Sequence, residues 1–356
     1  MRALKITSIS ILIFFLGLIA WVILQSDPMG GEPVFVVELD HQQKLAVQKF
    51  GSAPNTDQAK IKPLPDVFKK SKQNNDQQRN TKHTMSPVPV QALLEFSQFG
   101  PLPKISTDGR KPSEVYARPF NLPPRPGPGE PTRIAIVMTG LGLSANSSHS
   151  AIHNLPGAVT LAFSPYGQNL QGWIKKAREL GHEIILQVPF EPYDYPDNDP
   201  GPHTLLTGLP PNENLKRLKW IMSRMTGYVG ITNKMGAKFS TAENALKPIL
   251  MELGRRGLYY FDNGEAPRSI AGKLANQTNV GFSKSHLTID LAPMAQDIDA
   301  QLLKLEEIAG EKGLAIGIGT TLPLTIERIK KWAKTLEQKN AILVPISAAI
   351  RSAQGS

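Results

Sequence analysis

Cysteine is absent from all 356 residues. That one absence removes disulfides, thiolate zinc sites, iron–sulfur clusters and cysteine nucleophiles together. It leaves the compartment open, because a chain with an adequate core needs no disulfide even in an oxidising space. Apolar residues are scarce at 40%, against about 45–50% in ordinary domains on a count that includes Gly, so part of the chain is expected to have no core. A block of one-sign charge is missing as well. The net charge of +10 splits evenly, with 16 Lys+Arg and 11 Asp+Glu up to residue 130 and 24 and 19 beyond it. An excess spread this thinly is no phosphate-binding face, and no nucleic-acid partner is expected. There is no internal repeat and no Gly-x-Ser-x-Gly elbow of a serine hydrolase.

One long hydrophobic run is present. Arg2 and Lys5 precede an apolar stretch from Ile6 to Leu24, interrupted only by Thr7, Ser8 and Ser10. As a helix it would reach roughly 28 Å, close to the thickness of a bilayer core. It could be a cleaved signal peptide or a retained anchor. The exit Trp21-Val-Ile-Leu-Gln25-Ser-Asp-Pro28 has no small-x-small cleavage pattern, and Trp21 suits an interface, so one uncleaved span is the reading. Residues 1–25 are therefore expected to anchor the chain. The inner membrane is the expected partner of residues 6–24, and basic residues ahead of the run place the C-terminal domain in the periplasm. Residues 26–130 form a linker, largely disordered where Gln, Asn, Lys and Pro dominate, as in Lys69-Lys-Ser-Lys-Gln-Asn-Asn-Asp-Gln-Gln-Arg79. Residues 92–120 hold aromatics that could dock on the domain that follows. Pro123-Pro-Arg-Pro-Gly-Pro-Gly129 ends the linker as a stiff spacer.

Residues 131–352 alternate short apolar runs with amphipathic stretches. Strands are expected at 133–138, 159–163, 183–188, 229–231, 258–261, 287–291, 314–318 and 341–344. Helices are expected between them, the first capped by Ser144. Such alternation argues for a parallel sheet with helices outside it. A (β/α) barrel, closed or partly open, and an open doubly wound sheet both fit. In either, function sits at the C-terminal strand ends. That rule selects Thr139, Gln187, Glu191, Asn233, Lys234, Asp262 and Thr320, and the long loop from Pro189 to Pro211 adds His203.

The order of these stretches resembles the divergent polysaccharide deacetylase family, related to the NodB-type carbohydrate esterases. The resemblance rests on Ile-Ala-Ile-Val-Met-Thr-Gly-Leu-Gly142, Gly181-His-Glu-Ile-Ile-Leu-Gln-Val-Pro-Phe-Glu-Pro192, Asn233-Lys-Met-Gly236, Tyr260-Phe-Asp262 and Ala315-Ile-Gly-Ile-Gly319. It implies an irregular (β/α) barrel of about seven strands. It also implies an activity, metal-assisted hydrolysis of an N-acetyl group on an envelope polysaccharide, a carbohydrate-esterase reaction at a C–N bond other than peptide. The family's ligand residues do not carry over. Thr139 and Gly140 stand where the family has Asp-Asp, Gln187 and Lys234 where it has His, and Thr320-Thr321-Leu322 where it has His-Pro-His. Asp262 and Glu191 remain.

A hydrolytic metal needs about three imidazole or carboxylate ligands and an open position for water. Lys234 is an ammonium, which donates hydrogen bonds and repels a cation. No cofactor is therefore expected. Thr139, Gln187, Asn233, Lys234 and Thr320 read as substrate-binding groups, able to meet sugar hydroxyls or an anion. The expected function is a catalytically degenerate barrel, membrane-anchored and extracytoplasmic, binding envelope polysaccharide or an envelope protein. Two alternatives accompany it: a rearranged hydrolase using Asp262, Glu191 and His203, with a divalent metal only in that case, and a scaffold of an envelope complex. His149 and His153 share a helix face, and Asp194, Asp197 and Asp199 share a loop. The histidines read as surface residues and the aspartates as a solvated turn.

Overall fold

Arg133-Ile-Ala-Ile-Val-Met138 is apolar at every position after the arginine, the pattern of a strand buried on both faces. A computed structural model describes residues 85–120 and 129–354, all within one compact unit, Gln77–Ser356. In it this run is β3 (Thr132–Leu141), the centre of the main sheet. A hairpin of β1 (Leu94–Ser97) and β2 (Gly100–Pro103) precedes it. The remaining strands are β4 (Thr160–Phe163), β5 (Ile184–Phe190), β6 (Gly230–Met235), β7 (Tyr259–Asp262), β8 (Phe282–Lys284), β9 (Leu287–Thr288), β10 (Leu314–Thr320) and β11 (Ala341–Val344). Every ladder of this sheet is parallel, in the order β8-β7-β6-β5-β4-β3-β10-β9, with β11 beside the first half of β3.

The sheet is curled and open, which corrects the expectation of an irregular barrel of about seven strands. Its two edges, β8 and β9, are consecutive pieces of one segment, and no ladder joins them. Between them Ser285 N donates to Asp262 O at 2.9 Å and His286 N to Ile316 O at 2.8 Å. The segment thus bonds first to β7 and then to β10, and three- and two-residue strands are too short to close a ring.

The helices are α1 (Pro112–Val115), α2 (Ala145–Asn154), α3 (Leu170–Glu179), α4 (Pro211–Met222), α5 (Glu243–Arg256), α6 (Ala271–Gln277), α7 (Ala295–Lys312), α8 (Pro323–Ala333) and α9 (Ile346–Gln354). Ser144 caps α2, accepting a bond from Ser147 N at 3.3 Å. Strand alternation divides the core in two. Ile134, Ile136 and Met138 pack with the helices, while Ala135 and Val137 join Ile316, Phe261 and, from α9, Ile346. Leu93 and Tyr116 of the preceding segment belong to this second cluster.

That segment is held by buried charge. Arg178 donates to Tyr116 O at 2.7 Å and Ser86 O at 2.9 Å, and Arg256 donates to Pro103 O at 2.6 Å. Burial lowers the Arg178 guanidinium to about 10, with Glu183 and Tyr116 opposing. It stays charged at neutral pH.

Among the described residues no helix is long and apolar enough to cross a membrane. The longest, α7, carries Asp297, Asp299, Lys304, Glu306 and Glu307 along its length. The expected single-pass anchor, its inner-membrane partner and the periplasmic placement drawn from it are therefore not supported. The run Ile6–Leu24 and most of the expected linker, residues 26–84 and 121–128, lie outside the described residues.

Candidate functional site

Parallel strands all end on one side, and their last residues converge there. A cavity of about 400 Å³ opens at this mouth, lined by the exits of β3 (Thr139, Gly140), β5 (Gln187), β6 (Asn233, Lys234) and β10 (Thr320, Thr321). Ser144 after β3, Ser164 after β4 and Asn263 and Glu265 after β7 complete the polar lining, with Leu143 and Ile318 as apolar wall. The five residues expected to bind substrate, Thr139, Gln187, Asn233, Lys234 and Thr320, all face this one cavity.

Most of their polar atoms are already engaged. Gly140 holds φ +84°, a conformation that suits glycine. It directs its N–H to Gln187 Oε1 at 2.8 Å. Thr139 Oγ1 donates to Gly319 O at 3.1 Å. Asn233 is buried: its Oδ1 accepts from Tyr260 OH at 3.1 Å and Asn263 N at 3.0 Å, and its Nδ2 donates to Met235 O at 2.7 Å. Thr320 donates through both N (2.9 Å) and Oγ1 (2.6 Å) to Asp290 Oδ2. Lys234 is the exception, since its Nζ makes a single bond, to Pro200 O at 3.3 Å.

The three residues named for a rearranged hydrolase do not meet in this cavity. Asp262 is fully buried and accepts from Gly264 N at 2.9 Å and Ser269 Oγ at 2.6 Å, which fixes the turn after β7. Glu191 accepts from Thr207 N at 2.6 Å, Thr207 Oγ1 at 2.7 Å and Lys238 Nζ at 2.8 Å. His203 lies flat on Trp220, ring centroids 3.6 Å apart and 7° from parallel, and Arg224 also lies over the Trp220 ring. Burial, then the charges of Arg217 and Arg224, lowers its imidazole below the ordinary value. Asp262 and Glu191 are thus engaged in holding loops, while His203 Nδ1 is buried without a partner. His149 and His153 stack on each other at 4.0 Å on exposed α2, and Asp199 accepts from Gly201 N and Thr204 Oγ1.

Glu191 supplies a pH-dependent prediction. Burial pushes its carboxyl up, but the Lys238 bond and the two Thr207 bonds outweigh burial and hold it below the ordinary 4.5. A depressed folded pKa means the stabilisation is complete above about 4.5 and is lost as pH falls through the folded value. Lys238→Met should therefore flatten the loss of stability on the acid side of pH 4.5, read by urea unfolding at a series of pH values. An unchanged slope would show that the pair contributes nothing.

Sequence reasoning missed two carboxylates at this end. Glu265 lines the cavity. Although exposed at the rim, its carboxyl has enough protein around it to be raised above the ordinary value; a bond to Asn263 opposes the shift and the Asp262 charge adds to it. Asp290, buried and bonded to Thr320, lies two residues past the end of β9. Its position at a strand's C-terminal end was the available signal, hidden because the expected strand ran on to residue 291.

A metal does not fit this mouth. Among the described residues no group of three or more His, Cys, Asp or Glu could hold one. At the strand ends where ligands would stand, the groups are an ammonium, a bonded amide oxygen and two threonine hydroxyls.

Residues 136–350 match the family described as divergent polysaccharide deacetylase. The chain belongs to that family. It lacks most of the metal and catalytic residues that the family resemblance implies at Thr139, Gly140, Gln187, Lys234 and Thr320. Its relatives include YibQ of Escherichia coli K12, 23% identical over 204 residues that make up 57% of this chain and 63% of YibQ. A Haemophilus influenzae protein is 23% identical over 208 residues, 58% of this chain and 73% of its own length. The crystal structure of ATU2773 from Agrobacterium tumefaciens C58 shares 38% identity and a TM-score of 0.67, covering 70% of this chain and 99% of that one.

Proposed function

We propose that this deacetylase-family domain binds a carbohydrate at the mouth of its curled sheet and does not hydrolyse it through a metal. The observation that carries the reading is the lining of the cavity. It has the place and size of a small-ligand site (about 300–1,000 Å³), yet its strand ends bear hydrogen-bonding groups in place of metal ligands. Most of those groups are fixed by bonds to the protein, so the cavity keeps its shape before a ligand arrives, which lowers the ordering cost of binding. Lys234, with donors to spare, is the residue most available to a sugar oxygen or an acid group.

The test is titration of the full chain with oligomers of glucosamine and N-acetylglucosamine, with and without Lys234→Ala. We expect saturable binding, weakened at least fivefold by the substitution, and no acetate release with added zinc, cobalt or manganese. Binding that is indifferent to Lys234 would move the site elsewhere. Metal-dependent acetate release would overturn the reading.

A further inference from the structure

Two opposite charges in the mouth have no ion-pair partner among the described residues. Lys234 stands at the end of β6 and Glu265 three residues past the end of β7, and both line the same cavity of about 400 Å³. Neither is close enough to the other to pair. Lys234 spends one donor on Pro200 O, and the backbone N–H of Glu265 goes to Asn263 Oδ1. The charges nearby do not neutralise them. Asp262, behind Glu265, is bonded by neutral donors. Lys284, across the ladder from Asp262, gives its ammonium to Ala266 O at 3.2 Å. The β7 exit therefore presents carboxylate charge to the cavity and the β6 exit presents ammonium charge.

We infer that the mouth recognises a dipolar sugar, an amino-sugar acid with an ammonium and a carboxylate on one ring, Lys234 taking the carboxylate and Glu265 the ammonium. The inference rests on the carbohydrate reading of this cavity and names the class of sugar. Three physical points support it. First, β6 and β7 are neighbours in the sheet, their paired backbones about 5 Å apart, and both exits open on the same cavity, so one ligand can meet both. Second, a ligand with one charge, or none, would screen the other protein charge from water without pairing it, and unpaired charge in a partly closed site costs affinity. Third, a ligand ammonium at Glu265 relieves the repulsion that Asp262 exerts there. The remaining polar atoms of the lining, engaged with one another, shape the cavity but add little charge.

The test uses four related sugars on the full chain at pH 7 and low ionic strength: muramic acid (ammonium and carboxylate), N-acetylmuramic acid (carboxylate only), glucosamine (ammonium only) and N-acetylglucosamine (neither). Muramic acid is expected to bind at least tenfold more tightly than each of the others. Glu265→Gln should reduce it to the level of N-acetylmuramic acid, and Lys234→Gln to the level of glucosamine. Both side chains reach solvent, and the comparison on the unsubstituted protein stands even if a variant folds badly. Equal affinity for all four sugars overturns the dipolar inference and leaves carbohydrate binding intact. A tenfold preference that survives both substitutions also overturns it. No binding of any sugar or of the longer oligomers ends both readings.

Discussion

Asp290→Ala is expected to destabilise the protein by about 3–5 kcal/mol, a fall of roughly 6–20 °C in Tm at about 2–4 °C per kcal/mol for a domain of this size. Asp290 is buried, and its Oδ2 alone accepts three bonds: from Thr320 N (2.9 Å), Thr320 Oγ1 (2.6 Å) and Thr325 Oγ1 (2.9 Å). Thr325 lies fully buried in the first turn of α8, where a carboxylate also meets the positive end of the helix dipole. One oxygen therefore ties β10 to α8 at the edge of the mouth. The other, Oδ1, is buried without a partner. That asymmetry makes the isosteric variant informative. In Asp290→Asn the amide oxygen can take the Oδ2 position and keep all three bonds, while the NH2 replaces an oxygen that bonds nothing. The cost should be no more than about 1–2 kcal/mol. Urea unfolding of the two variants checks this, and equal losses would refute the account of Oδ2 as the working atom.

Glu183→Ala should cost a similar amount, about 3–5 kcal/mol, but here the isostere should rescue less fully. Glu183 has no solvent exposure and divides its oxygens between two segments. Oε2 accepts from Arg118 N at 3.0 Å and Oε1 from Ser347 N at 2.9 Å. Burial raises its carboxyl, opposed by the bonds to Ser347 and Arg118 and by the charge of Arg351. Both oxygens face N–H donors, so in Glu183→Gln one of those donors meets an NH2 group and loses its acceptor. About 1–3 kcal/mol should be lost even in the isostere. Differential unfolding of Asp290→Asn and Glu183→Gln, measured side by side, is the sharpest form of the comparison. Because Glu183 joins residue 118 to the start of α9, its loss should also raise amide exchange around Tyr116 and Ser347. Glucosamine-oligomer affinity at the opposite end of the sheet should stay within twofold.

How far the sequence could be read depended on burial. β3, β5 and β10 are buried on both faces and stand out as continuous apolar runs, so their positions were legible, although each strand continues two or three residues past its expected end. The five residues expected to bind substrate followed directly, because parallel strands deliver their last residues to one place. The curl was not legible. Phe282–Lys284 and Leu287–Thr288 are too short to show a period, and the way one segment bonds to β7 and then to β10 depends on tertiary hydrogen bonds. The hairpin at Leu94–Pro103 contains Gly100, Pro101 and Pro103, which argue against a strand in isolation. Asp262, Glu191 and His203 are ambiguous in sequence for a related reason. A carboxylate or imidazole near a strand end looks the same in sequence whether it faces a ligand or pins a loop, and only the structure shows the bonds to Ser269, to Thr207 with Lys238, and the stack on Trp220.

The central claim is that a member of the divergent polysaccharide deacetylase family binds carbohydrate at its strand ends without a metal. The most direct measurement is a calorimetric titration of mixed glucosamine and N-acetylglucosamine oligomers into the full chain in EDTA, repeated with zinc, with free acetate assayed in both samples. The same saturable isotherm is expected in both, with no acetate in either. Binding that appears only with zinc, accompanied by acetate, would contradict it.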